Sequence, residues 1–169
     1  MKKTLAIMLA LIMVLALVPT VAFAEEPKTI YVDATKGDDT TGNGTEAKPY
    51  KTVEAAAKAA ASGDTIMLGD GNYTLYGVSS EKTTKTKDLT FVGQGADKTG
   101  WNIGAEVPDP ANYGTEYNGD YSFDGAGTIT FRNMTLQSGA ANYLGFIRAD
   151  NTIVENCTVN GKTFYWGYT

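Results

Sequence analysis

Apolar and polar positions alternate most clearly near the end of the chain, where Ile129 to Leu136 (ITFRNMTL) puts Ile129 and Phe131 on one face and Thr130 and Arg132 on the other. A shortened copy follows at Ile153 to Val159 (IVENCTV). Phe131, Asn133, Thr135 and Leu136 find their counterparts one repeat later in Val154, Asn156, Thr158 and Val159. The repeat is about 23 residues long, within the range of stacked-coil architectures. Period-2 alternation inside a recurring unit predicts short strands in a coil that stacks on itself. The same interval separates Ile66 and Leu68 from Leu89 and Phe91. From Phe91 to Phe131 the interval is longer, which predicts one coil plus an insertion over about 105–122. Gly100 to Gly104 (GWNIG) completes the coil before it.

Earlier segments fit this frame. Ile30 and Val32 alternate within Thr29 to Asp33 and predict a strand, and Ala34 to Lys48, rich in Gly, Thr and Asp, predicts a loop. Thr52 stands at a helix N-cap position before Val53 to Ala61, a nearly all-Ala run in which Glu54 and Lys58 form a surface pair. Ser62-Gly63-Asp64 ends the helix, with Gly63 suited to the left-handed C-terminal position. The face of Val53, Ala56, Ala57 and Ala60 buries little area alone, so the helix must lie on something flat, such as the open end of a stack. Thr65 to Leu68 alternates again, Gly69 to Asn72 turns the chain, and Tyr73 to Asp88 is a polar connection.

Composition narrows the setting. Lys2 and Lys3, the apolar run Leu5 to Val18, Pro19 and the small-x-small Ala22-Phe23-Ala24 predict a secretory signal peptide over 1–24; an uncleaved membrane anchor is the competing reading. Removing it lowers the basic count from 14 to 12 against 19 acids, a net charge of −7, which disfavours nucleic acid and anionic membranes as partners. The single Cys157 has no internal disulfide partner, and its match to Met134 predicts a buried apolar thiol. The absence of histidine removes the commonest general base and transition-metal ligand.

One resemblance covers nearly all of residues 29 to 161. Ile30-Tyr31-Val32-Asp33, Gly37-Asp38-Asp39, Gly44-Thr45, Lys48-Pro49-Tyr50-Lys51-Thr52, an Ala-rich helix, Gly63-Asp64-Thr65-Ile66 and Gly71-Asn72-Tyr73 resemble the N-terminal signature of secreted right-handed parallel β-helix proteins, the pectate-lyase-like fold. The resemblance implies an all-β, right-handed solenoid whose N-terminal end is capped by the helix at about 52–62, hiding the apolar core and sheet edge. It does not by itself imply catalysis, because the fold also serves adhesins and surface proteins.

The repeat also pairs individual residues. Arg132 and Glu155 face outward one coil apart and predict a cross-strand ion pair. Asn133 and Asn156 fall at the bend after each strand, where a ladder of amide bonds is expected in preference to use of their glycosylation sequons. Asp33, Asp38 and Asp39, with Asn43, offer hard oxygen ligands that suit calcium, though outside EF-hand spacing; the competing reading has them satisfying the backbone of a Gly-rich turn. No other cofactor is expected. Lyases of the resembled fold commonly use Arg or Lys as base with calcium on the uronate; here only Arg132 and Arg148 exist, which leaves Arg132 as the sole catalytic candidate. Asp70 and Asp124 are isolated, whereas a glycosidase needs paired carboxylates. Trp101, Tyr113, Tyr117 and Tyr121 lie in or near the insertion and suggest a glycan-binding lip, against a reading in which they fold half-buried over the coils.

Thr163-Phe164-Tyr165-Trp166 reads as the start of a further strand, and no C-terminal cap is evident. The expectation is therefore a chain over 25–169 that is C-terminally incomplete, or one whose open coil self-associates. The resulting functional expectation is a secreted or cell-surface protein presenting a glycan-binding or adhesive surface. Its rivals are a polysaccharide lyase or glycosidase with active strands beyond residue 169, and a structural spacer.

Overall fold

The computed structural model describes residues 26–75, 82–103, 121–138 and 146–160. The expected signal peptide at 1–24 and most of the 105–122 insertion lie outside them, as does the expected strand at 163–166. The described chain is mostly β. Its strands are β1 (Thr29–Val32), β2 (Thr65–Leu68), β3 (Gly71–Tyr73), β4 (Leu89–Val92), β5 (Thr99–Ile103), β6 (Tyr121–Ser122), β7 (Thr128–Arg132), β8 (Thr135–Ser138), β9 (Phe146–Ile147), β10 (Asn151–Glu155) and β11 (Thr158–Asn160), with one helix, α1 (Val53–Ala59). A first sheet runs β1-β2-β4-β7-β10, a second β3-β5-β8-β11, and a third pairs β6 with β9. All pairings between these strands are parallel. From β2 onward the chain repeatedly lays one strand in the first sheet, bends, and lays another in the second, an arrangement consistent with a parallel β-solenoid.

The register explains the core. Ile30, Ile66, Phe91, Phe131 and Val154 form one column across the first sheet. Tyr73, Trp101, Leu136 and Val159 form the matching column across the second. Side chains alternate across a strand, so both columns face the same interior. Phe91, Trp101, Phe123 and Phe131 meet there, with ring centroids 4.9 Å apart for Phe91 and Trp101 and 5.2 Å for Trp101 and Phe131. Phe123 reaches its fully buried place with φ 64, a left-handed backbone that costs about 1–2 kcal/mol and persists because the ring is held on several sides.

The repeat seen in the sequence holds between β7 and β10, where Phe131 pairs with Val154, and the longer interval holds between β4 and β7, where Phe91 pairs with Phe131. Between β2 and β4 the repeat does not hold. Ile66 pairs with Phe91 rather than with Leu89. A slip of two positions keeps every side chain on its face, so the alternation alone could not reveal it. Gly71 to Tyr73, expected as turn and connection, forms β3, and residues 82–84 within the same connection form a helical turn.

The N-terminal end is covered. α1 packs on β1 and β2 with Val53, Ala56 and Ala57 buried. Seven residues are too few for a helix that stands alone, so packing and caps hold it. Thr52 Oγ1 accepts from Ala55 N at 3.2 Å, and Lys87 Nζ donates to Ala57 O at 2.8 Å in the last turn. The helix is shorter than the expected 52–62 because Ala60 is already extended; Gly63, with φ 94, belongs to the following turn rather than to the helix end. Asp64, only 2% exposed, ties this end together by accepting from Lys28 N at 2.9 Å and Ala61 N at 2.8 Å.

The outer edge of β1 is occupied as well. Tyr31 N donates to Gly44 O at 2.8 Å, Tyr50 N donates to Tyr31 O at 3.0 Å, and Asp33 N donates to Tyr50 O at 2.9 Å. At the opposite end, β10 and β11 are the outermost strands of their sheets among the described residues. Val154 and Val159, which continue the two interior columns, are 45% and 47% exposed.

Candidate functional site

The 34–50 loop, which seals the edge of β1, also builds a wall beside the outer face of the first sheet. Its turns depend on carboxylates. Asp33 Oδ1 accepts from Thr35 N and Lys36 N, both at 2.9 Å, and Asp38 Oδ1 accepts from Thr40 N at 2.7 Å and Thr41 N at 2.8 Å. Asp39 Oδ1 reaches further, accepting from Lys51 N at 2.8 Å and Thr52 N at 3.0 Å, while Thr52 Oγ1 donates to its Oδ2 at 2.7 Å. The bonds to Asp33 and Asp38 favour their charged forms. The Lys36 N–H chiefly holds the Asp33 carboxyl below its ordinary value, helped by the Thr35 N–H and the Lys36 charge against partial burial. Asp38 is lowered mainly by the Thr41 and Thr40 N–H groups. Gly37 permits the loop to double back, because a Cβ there would lie 2.1 Å from Tyr50 O.

The three aspartates thus cap separate turns. No group of three or more metal-ligating side chains occurs among the described residues. Asn43 is occupied in the same way, its Oδ1 accepting from Thr45 N at 3.2 Å and Thr45 Oγ1 at 2.8 Å.

Between the loop wall and the outer face of the first sheet lies an open cleft of about 560 Å³. Tyr31 and Met67 are register partners on β1 and β2, both half-buried, and form its floor with Gly69; Asp33, Lys36 and Glu46 stand on the loop side. Gln94 closes the far side, its Nε2 donating to Leu68 O at 2.9 Å. Tyr73 braces the loop from beneath, its hydroxyl accepting from Ala34 N at 3.3 Å. Burial raises the Tyr73 pKa, and the charges of Asp33 and Asp70 add to the shift. A ring and a thioether on the floor with carboxylate, ammonium and amide groups above it can hold a ligand that is apolar on one face and hydroxyl-rich at its edges.

No protein-family model matches this chain, and no curated protein and no solved structure matches it either. The site therefore stands on its own geometry.

That geometry redistributes the residues singled out from the sequence. Trp101 does not belong to an exposed lip. It is 1% exposed and packed among Phe91, Phe123 and Phe131, because β5 runs in register with β3 and β8 and turns the indole inward. Tyr113 and Tyr117 lie outside the described residues. Tyr121 lies on β6, paired with Phe146 of β9. Arg132 and Glu155 are register partners on β7 and β10, and Arg132 Nε donates to Glu155 Oε2 on the exposed face. Asn156 Nδ2 donates to Asn133 Oδ1 at 2.8 Å, and both residues have positive φ, 51 and 55 respectively. Left-handed backbone at these bends suits Asn, and the amide bond links successive coils. Arg148 Nε lies 3.4 Å from Asp124 Oδ1.

Sequence reasoning missed Tyr31, Met67 and Gln94. The signal was present in the alternation, because Tyr31 and Met67 are large residues at the outward phase of strands whose inward phase is Ile30, Val32, Ile66 and Leu68. The second sheet carries a polar row too, but there Gln137 Nε2 donates to Asn102 Oδ1 at 2.6 Å and Asn72 Oδ1 at 3.1 Å. Those amides bond one another across coils, as a structural ladder does.

Proposed function

We propose that this protein is a secreted or cell-surface right-handed parallel β-helix of the pectate-lyase-like kind that presents a carbohydrate-binding surface, serving adhesion or retention on a glycan. The observation that carries the reading is the open cleft floored by Tyr31 and Met67 and edged by Asp33, Lys36, Glu46 and Gln94. An open trough with a flat apolar floor suits a chain of sugar rings that enters and leaves, and it does not require enclosure of a reacting bond. Secretion rests on the basic, apolar and small-x-small pattern of residues 1–24.

The neighbourhood of Arg132 does not favour the lyase reading, since its guanidinium is committed to Glu155 on an exposed surface. The test is to incubate the chain from residue 25 on with a panel of soluble polysaccharides and to measure both retention and products. Retention without shortened chains or unsaturated uronide ends, lost in Tyr31→Ala, supports a binding protein. Product formation abolished by Arg132→Ala would replace this reading with the enzymatic one.

A further inference from the structure

Resting on the glycan-binding reading of the Tyr31 cleft, we infer that its ligand is an uncharged polysaccharide and that polyuronates are excluded. Direct recognition of a uronate chain by side chains needs cations in excess, placed to meet one carboxylate after another. The cleft has none in excess. Its one ammonium, on Lys36, is outnumbered by the two acids that line the same cleft, Asp33 and Glu46. Further along the same outward row, which runs Tyr31, Met67, Val92, Arg132 and Glu155 across the sheet, the only guanidinium is paired with Glu155. Arg148 is paired with Asp124. A uronate laid along this row meets surplus negative charge in a chain whose net charge is −5 in full and −7 without residues 1–24.

An uncharged sugar chain meets a different surface. Tyr31 and Met67 offer apolar area to the C–H face of a ring. Asp33 Oδ2, the Glu46 carboxylate and the Gln94 carbonyl oxygen have no hydrogen-bond donor from the protein among the described residues, so they accept from hydroxyls. Asp33 keeps its acceptor role because two backbone N–H groups fix its other oxygen. Acceptors outnumber donors in the cleft, which matches a ligand rich in O–H groups.

Affinity electrophoresis in native gels tests this with galactomannan, xylan, hydroxyethylcellulose and polygalacturonate as separate probes, each at low and at tenfold higher salt. At least one neutral polymer should retard the protein to the same extent at both salt concentrations, and polygalacturonate should not retard it. Tyr31→Ala should weaken retardation by about tenfold, while Tyr31→Phe, which keeps the ring, should stay within about threefold of the parent. Glu46→Lys, which removes a cleft acid and adds a cation at an exposed loop position, should let polygalacturonate bind in a salt-sensitive way and should weaken the neutral polymer, since one acceptor is lost. If polygalacturonate binds the parent protein and Tyr31→Ala abolishes it, the ligand class is wrong and the cleft still binds glycan. Retardation by a neutral polymer that survives Tyr31→Ala overturns the site, and no retardation by any probe overturns the glycan-binding reading itself.

Discussion

Replacing Trp101 by alanine separates a core residue from a surface one more sharply than any other change. The indole is fully buried, with ring centroids 4.9 Å from Phe91, 5.2 Å from Phe131 and 6.1 Å from Phe123. Truncating a buried Trp costs about 3–5 kcal/mol, combining lost transfer free energy with the cavity left behind. Three aromatic neighbours and little freedom for parallel strands to collapse place this site toward the upper end, about 5 kcal/mol. Domains of this size are stable by only about 5–15 kcal/mol, so Trp101→Ala should sharply reduce the folded fraction. Trp101→Phe is the companion, keeping a ring in the interior column at a cost of about 1–2 kcal/mol. Urea unfolding followed by far-ultraviolet circular dichroism reads both. A stability for Trp101→Ala within about 1 kcal/mol of the parent would refute the interior placement of β5.

Asp64→Asn keeps the shape but turns one acceptor into a donor facing Lys28 N or Ala61 N, and should cost about 1–3 kcal/mol in the same unfolding assay; an unchanged midpoint would show that the buried carboxylate is not holding the capped end. Asp33 and Asp38 have folded values below the ordinary carboxylate value of 3.8, so their contribution is complete above that pH and is lost as pH falls through the lower folded values. Hydrogen exchange at the Thr35, Lys36, Thr40 and Thr41 amides should therefore accelerate below about pH 4, relative to the core strands, and equal protection at acid and neutral pH would contradict the capping role. Arg132→Ala should change stability by less than about 1 kcal/mol, because the pair with Glu155 is exposed; a larger loss by thermal unfolding would mean that the pair does more than decorate the face.

The fold was more legible than the site, for a physical reason. Inward residues are constrained by burial and repeat from coil to coil, so matching Phe131 and Asn133 to Val154 and Asn156 identified the stacking unit. Lengths between strands are free to vary, because turns lie outside the ladder. The spacing of Ile66 and Phe91 therefore could not be inferred from that of Phe131 and Val154. Trp101 reads as part of an aromatic lip only because it stands close to the insertion in sequence. Its glycine neighbour is instead needed within β5, where a Cβ on Gly100 would lie 2.2 Å from Asn72 Oδ1. The cleft was the least legible feature, because Tyr31, Lys36, Glu46, Met67 and Gln94 come from two strands, a loop and a bend that only the coil register brings together.

Whether the outer face of the first sheet beside the 34–50 loop binds glycan is tested most directly by amide chemical-shift mapping. Titration with a neutral oligosaccharide drawn from whichever polymer retards the protein should move the resonances of Tyr31, Lys36, Glu46, Met67 and Gln94 together along one saturable curve. Shifts confined to Asn72, Asn102 and Gln137 on the second sheet, or none at saturating sugar, would contradict glycan binding at this face.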